Sequence, residues 1–131
     1  MTITTNFARQ DMKVAWVDIN LADVATGVVQ DAIKMPQTNY VVAGGSLYTS
    51  EAWNSTSTDT MSVGDDDAAT TYLNGVDIHA TGIDAITPTG VVGDGDITVT
   101  WTSGGGVPTT GISRLMIFYY LLGASDATFG S

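Results

Sequence analysis

Two acidic loops have the composition of a calcium site. Residues 64–67 (GDDD) and 93–96 (GDGD) place several carboxylates beside glycine, and Ca²⁺ prefers oxygen ligands gathered by a tight turn. Neither loop has the spacing or the terminal Glu of an EF-hand. Aspartate also bonds to its own backbone in turns, which explains both loops without an ion. We therefore expect no metal site, with calcium as the alternative.

A catalytic site needs side chains that this chain supplies sparingly. His79 is the only histidine and cysteine is absent, so thiolate chemistry and disulfides are excluded. No spacing identifies the nucleophile and the orienting acid that a catalytic histidine requires. The aspartate clusters lie in glycine-rich loops rather than in an apolar pocket that would raise a carboxyl pKa. We interpret His79 as a loop histidine and expect no enzyme, no catalytic residue and no cofactor.

Flat aromatic side chains offer a second kind of chemistry, because they bind sugars in many β-sandwich modules. Trp16 and Trp101 lie within alternating apolar runs, which predicts that both belong to the core. Trp53 lies between EA and NS, and we expect it to be the exposed tryptophan. A carbohydrate- or receptor-binding module therefore remains an alternative function.

The composition limits the partners. The chain has 131 residues, which suits one domain, and 14 acids against four Lys and Arg give a net charge of −10. Nucleic acid and anionic membrane need clustered cations that are absent here. No apolar run approaches the ~20 residues of a spanning helix, and the first residues lack a signal-peptide core, so we expect synthesis in the cytoplasm. Long charged side chains are few, and such a surface suits burial in an interface.

The elements that would position these residues are strands. Val, Ile and Thr number 42, and β-branched residues favour strands over helices. Short alternating runs bounded by turn residues predict a single antiparallel β-sandwich, preferably of the jelly-roll type. Gly44 and Gly45 indicate a bulge. The predicted strands are residues 13–20, 30–35, 39–51, 59–63, 83–87, 96–102 and 112–122, with 70–73 as an optional eighth. We assign residues 1–12 to an extended N-terminal arm, 13–123 to the sandwich and 124–131 to a C-terminal tail.

The last strand is apolar on both faces. Residues 112–122 (ISRLMIFYYLL) contain one charged side chain, Arg114. A strand of this kind is central in its sheet or is covered by a neighbouring subunit. We expect a homo-oligomer, with Arg114 paired with an aspartate at an interface or at a sheet end.

The order of the turn and strand signals resembles that of a known family. The segments that carry the resemblance are MPQTNYVVAGGSLYTSEAWNSTSTDTMSVGD, then TTYL, ITPTG and DITVTWTSGGGVPTTGISRLMIFYY. This order is similar to that of the small jelly-roll cement (decoration) proteins of tailed-bacteriophage capsids, over roughly residues 13–120. The resemblance implies a non-enzymatic virion protein on the outer capsid surface that clamps major capsid proteins as a dimer or trimer.

Five residues are predicted to carry these contacts. In the arm, Ile3 and Phe7 are apolar and lie four residues apart, and Arg9 is a cation on an acidic chain. An extended segment of this kind could add to an exposed sheet edge of a neighbour. The predicted interface residues are Ile3, Phe7, Arg9, Trp53 and Arg114.

Overall fold

A computed structural model describes residues 11–35 and 39–121 of the chain. Ile3, Phe7, Arg9 and the predicted C-terminal tail lie outside the described residues. Within them, no helix is long and apolar enough to cross a membrane. The elements, in chain order, are β1 (Lys13–Asn20), a 3₁₀ turn (Leu21–Asp23), β2 (Val29–Ile33), β3 (Tyr40–Glu51), β4 (Asp59–Gly64), β5 (Leu73–Asp77), β6 (Gly82–Ala85), β7 (Ile97–Ser103) and β8 (Ile112–Leu121).

The strands form two four-stranded antiparallel sheets. One has the order β1-β8-β3-β6 and the other β2-β7-β4-β5. Eight strands that pass between two packed sheets in this order form a jelly roll, so the predicted fold class is confirmed. The seven predicted strands all occur, with ends that differ by up to two residues. The optional eighth lies at Leu73–Asp77 rather than at 70–73, because Thr71 donates hydrogen bonds from N and Oγ1 to the Ala68 carbonyl oxygen and so holds residues 68–71 in a turn.

A bulge in β3 lets this long strand follow β8. The pairing with β8 shifts register between Val42 and Gly44, as the two glycines predicted. Gly45 has a φ of +136°, and a Cβ there would collide with the Met116 carbonyl oxygen. Only glycine therefore permits this close approach of the two strands.

The core lies between the sheets and is built from alternate residues of each strand. Ile97, Val99 and Trp101 point inward from β7 as predicted, and Leu115 and Ile117 point inward from β8. Strand β8 lies between β1 and β3, which confirms its predicted central position.

The prediction that Trp53 is the exposed tryptophan is wrong, because its side chain is 0% exposed. The chain turns across the end of the sandwich after β3, and the indole packs 5.3 Å from the Trp101 ring, measured between centroids. Its Nε1 donates a hydrogen bond of 3.0 Å to Ser113 Oγ. Gly111 leaves the space that the ring fills. The polar neighbours of Trp53 suggested exposure, but the reversal of the chain turns this one side chain inward.

Candidate interaction surface

The outward side of the β1-β8-β3-β6 sheet is apolar. The register places Val14 opposite Phe118 and Trp16 opposite Met116, and cross-strand partners project from the same face of a sheet. We call this surface the apolar face. It comprises Val14, Trp16 and Asp18 of β1, Gly44, Ser46 and Tyr48 of β3, Ile83 and Ala85 of β6, and Ile112, Arg114, Met116, Phe118 and Tyr120 of β8.

Several large side chains of the apolar face are open to solvent. Trp16 is 55% exposed, Val14 56%, Tyr48 44% and Ile83 69%. Trp16 is therefore the exposed tryptophan, and the prediction that it belongs to the core is wrong. Its strand is apolar on both sides, so alternation could not tell which side faces inward. Contiguous exposed apolar surface of this kind marks an interaction site.

The two charged members of the apolar face neutralise each other. Arg114 donates two hydrogen bonds to Asp18, from Nε to Oδ1 at 2.8 Å and from its second guanidinium nitrogen to Oδ2 at 3.1 Å. The Arg114 Cζ also lies 4.3 Å from the Trp16 ring centroid, within cation–π range. The hydrogen bond from Arg114 lowers the pKa of Asp18, and the same bond raises the pKa of Arg114. The predicted pairing of Arg114 with an aspartate is confirmed.

The outward side of the other sheet is polar. We call it the threonine face, and its hydroxyls come from alternate positions of β4 and β7 opposite each other. Ser62 Oγ accepts a hydrogen bond of 2.9 Å from Gly75 N. The face comprises Val29 and Asp31 of β2, Thr60 and Ser62 of β4, Asp77 of β5, and Thr98, Thr100 and Thr102 of β7.

The two acidic loops bind each other through backbone amides. Asp66 N donates to the Asp94 carbonyl oxygen at 2.8 Å, and Asp94 N donates to Asp65 Oδ2 at 3.2 Å. Asp96 N donates to Asp66 Oδ2 at 3.3 Å, and Asp96 Oδ1 accepts from Met35 N at 3.0 Å. Across residues 11–35 and 39–121, no group of three or more acids and histidines is arranged to hold a metal ion. Amide donors thus account for these carboxylates.

A buried polar cluster holds the loop between β3 and β4, and the spacing in the sequence did not point to it. The Asp59 carboxylate is 0% exposed. It accepts hydrogen bonds from Trp101 Nε1 at 3.0 Å and from Ser55 Oγ at 2.7 Å. His79 Nε2 lies 2.9 Å from the Ser55 carbonyl oxygen and 3.9 Å from Asp59 Oδ2. The serine hydroxyl donates to the aspartate and not to the histidine, so this is not the arrangement of a catalytic triad.

A shallow groove of about 260 Å³ opens between the edge strands β1 and β2. Apolar side chains such as Val17 and Ile19 line it, with Asp23 and Asp31 beside them. Gln30 lies across one end, where its Nε2 donates to the Asp23 carbonyl oxygen at 2.8 Å. The described lining residues include three aspartates, of which Asp18 is bound to Arg114.

No protein-family model matches the chain, and no curated protein matches it in sequence. Chains of solved phage capsids are similar to it in structure. A chain of the cyanophage Pam1 capsid asymmetric unit is 21% identical with a TM-score of 0.68, over 92% of this chain and 91% of that one.

The other two similar chains come from further phage capsids. A chain of the acidic stable capsid of Helicobacter pylori bacteriophage KHP30 is 17% identical with a TM-score of 0.64, over 84% of this chain and 87% of that one. A chain of the capsid of Ralstonia phage GP4 is 20% identical with a TM-score of 0.61, over 95% and 92%. The comparisons show that this chain shares one β-sandwich fold with all three over nearly its whole length.

Proposed function

We propose that the protein is a capsid cement (decoration) protein, which binds the outer surface of a phage head and stabilises contacts between major capsid proteins. The observation that carries the proposal is the likeness to chains of three phage capsids. The alignments span 84–95% of this chain and 87–92% of the others. Each alignment therefore covers nearly the whole of the other chain and not one part of it.

The surface of the chain supports a binding role rather than a catalytic one. The apolar face exposes Trp16, Val14 and Ile83, whereas the Ser55, Asp59 and His79 side chains serve a buried structural cluster. Trp53 is buried, so the alternative of a carbohydrate-binding module would have to use Trp16, which is exposed on the apolar face. A non-enzymatic structural role fits these observations.

The mechanism is thermodynamic. A protein that binds the assembled shell but not the free capsid subunits stabilises the shell by mass action. At a free concentration 100 times the Kd, one site contributes about 2.7 kcal/mol. A dimer or trimer of the chain would join neighbouring capsid subunits and would gain further from effective concentration. We propose that Ile3, Phe7 and Arg9 contact the capsid shell rather than the second copy of the chain.

The test is addition of the purified protein to heads assembled without it. We expect it to sediment with the heads at a saturable stoichiometry and to raise the temperature at which they open, as measured by dye access to the packaged DNA. The control is unassembled major capsid protein, which should not bind. Failure to sediment with intact heads at micromolar concentration would contradict the proposal.

A further inference from the structure

We propose that the apolar face is the surface through which two copies of this chain associate about a two-fold axis that runs parallel to the strands, between β8 and β3. The proposal names the surface through which the homo-oligomer of the proposed function would form, and to that extent it rests on the proposed function. It depends on the shape, the charge and the area of this face.

Two adjacent rows of the apolar face match themselves in shape. The middle row runs Trp16, Met116, Ser46 and Ala85 across the four strands, so this row is tall over β1 and β8 and low over β3 and β6. The neighbouring row repeats this order, because Phe118 is followed by Gly44. The row that contains the ion pair differs, since Tyr48 and Ile83 occupy β3 and β6 there.

A two-fold rotation about an axis parallel to the strands exchanges the two halves of each row. It lays Met116 of one copy over Ser46 of the other, and Trp16 over Ala85. In the row that contains the ion pair, Arg114 of one copy would meet Tyr48 of the other, since these two residues are cross-strand partners within one chain. An isologous contact requires this kind of match of a surface with itself.

The charge distribution favours a second copy through this face. The chain has a net charge of −10, so two copies repel each other across most surfaces. On the apolar face, the only acid is Asp18, and it is already bound to Arg114. The threonine face instead carries two acids, Asp31 and Asp77, and no cation.

The area of the apolar face suits a weak dimer. Strand β6 is 4 residues long and β8 is 10, and the two-fold lays β1 over β6 and β8 over β3, so strands about 4.8 Å apart that rise about 3.3 Å per residue overlap over roughly 450 Å² in projection. Two copies would bury about 900 Å² together, near the ~1,000 Å² that separates weak from stable specific interfaces. Sheets packed in this way lie about 10 Å apart and within about 30° of alignment.

The first test fills the low half of the face. Ala85 is exposed, so Ala85→Arg disturbs nothing within one chain but blocks Trp16 of the second copy. We expect the wild type to be a dimer at micromolar concentration in sedimentation equilibrium, and Ala85→Arg to raise the dimer Kd by about 30-fold or more. The matched control is Ala80→Arg, at another exposed alanine, which should leave the Kd unchanged. A monomeric wild type, or equal effects of the two variants, would overturn the proposal.

The second test establishes the axis. The chain has no cysteine, so Trp16→Cys and Ala85→Cys each introduce its only thiol. Facing sheets lie about 10 Å apart, too far for a disulfide, so a bifunctional maleimide of about that span joins the thiols. At a concentration that keeps the variants dimeric, a mixture of the two should crosslink at least tenfold faster than either variant with itself, because like thiols lie three strand spacings apart across the axis. Faster self-crosslinking of either variant would overturn the parallel axis. Head binding is measured separately on the same variants, so a failed dimer and a failed cement function remain distinguishable.

Discussion

The two sheets have the same construction on the inside and opposite constructions on the outside. Inward, both present alternate large apolar residues, as in Leu115 and Ile117 of β8 and Ile97 and Val99 of β7. Outward, β7 presents Thr98, Thr100 and Thr102 at the positions where β8 presents its apolar side chains. One sheet therefore has a polar outer face, on which Thr98 is buried, and the other has two apolar faces.

This difference is the basis of the proposed interaction surface. The apolar residues on one face of a sheet are covered by the core of its own sandwich, whereas a sheet with two apolar faces needs a further layer. The proposed association therefore uses the apolar face rather than the acidic loops. The acidic loops are occupied with each other through backbone amides.

The largest expected effect is the difference in stability loss between substitution of a core tryptophan and substitution of a tryptophan on the apolar face. Trp53→Ala should lower the free energy of unfolding by about 3–5 kcal/mol, because it empties a filled core site and removes the indole donor to Ser113. Trp16→Ala should lower it by about 1 kcal/mol or less in the monomer, since its ring is exposed and contacts Arg114 at the surface. Urea unfolding at a protein concentration below the dimer Kd measures both. Equal losses would remove the distinction between the two tryptophans.

A matched pair of valines compares the two outer faces directly. Val14 is 56% exposed on the apolar face and Val29 is 53% exposed on the threonine face. Val14→Asp should weaken self-association by about 10- to 100-fold, because burial of a valine contributes ~1.5–3 kcal/mol. Val29→Asp should leave the dimer Kd unchanged. The measurement is sedimentation equilibrium, and a weaker dimer in both variants would show that the choice of face is wrong.

Deletion of residues 1–10 tests whether the N-terminal arm contributes to binding to the head in addition to the two sheets. We expect the melting temperature of the isolated protein to stay nearly unchanged, and the affinity for heads to fall at least tenfold as Ile3 and Phe7 are lost. Co-sedimentation at limiting protein concentration measures the affinity. Wild-type occupancy would end the proposed role of the arm, and failure of the deleted protein to fold would assign the arm to the core.

The acidic loops should respond to mutation and not to chelation. Asp65→Asn should cost about 1 kcal/mol of stability, because the carboxylate accepts hydrogen bonds from three backbone amides, those of Asp67, Ala68 and Asp94. Asp67→Asn is the control, since this side chain is exposed. A chelator should leave the melting temperature unchanged. A loss of more than a few degrees on chelation would make calcium structural.

The smallest expected effect concerns the ion pair on the apolar face. The pKa of Asp18 in the folded chain is lowered from its ordinary value of 3.8, so the pair adds stability above that pH and the gain disappears as the pH falls through the lowered value. Because the pair is exposed, the gain is small and shrinks with salt. Melting curves of Asp18→Asn and wild type should differ slightly at neutral pH and coincide in strong acid. A difference that grows in acid would contradict this sign.

The sequence by itself determined the strands and the sandwich. Alternation fixed β1 at Lys13–Asn20 to the residue, and paired glycines marked the bulge in β3. These features depend on neighbours along the chain, because a pleated strand has a period of two and a bulge needs residues without a Cβ clash.

Only the tertiary structure decided which side of each strand faces inward and which distant residues meet. In β1 both sides are apolar, so alternation alone left Trp16 on either side. The burial of Trp53 depends on Ser113, and the Asp59 cluster depends on Trp101, 60 and 42 positions away. Contacts at such separations follow from the packing of two sheets and from chain reversals. No local period encodes them, and for that reason the apolar face could be recognised only after the strands had been paired.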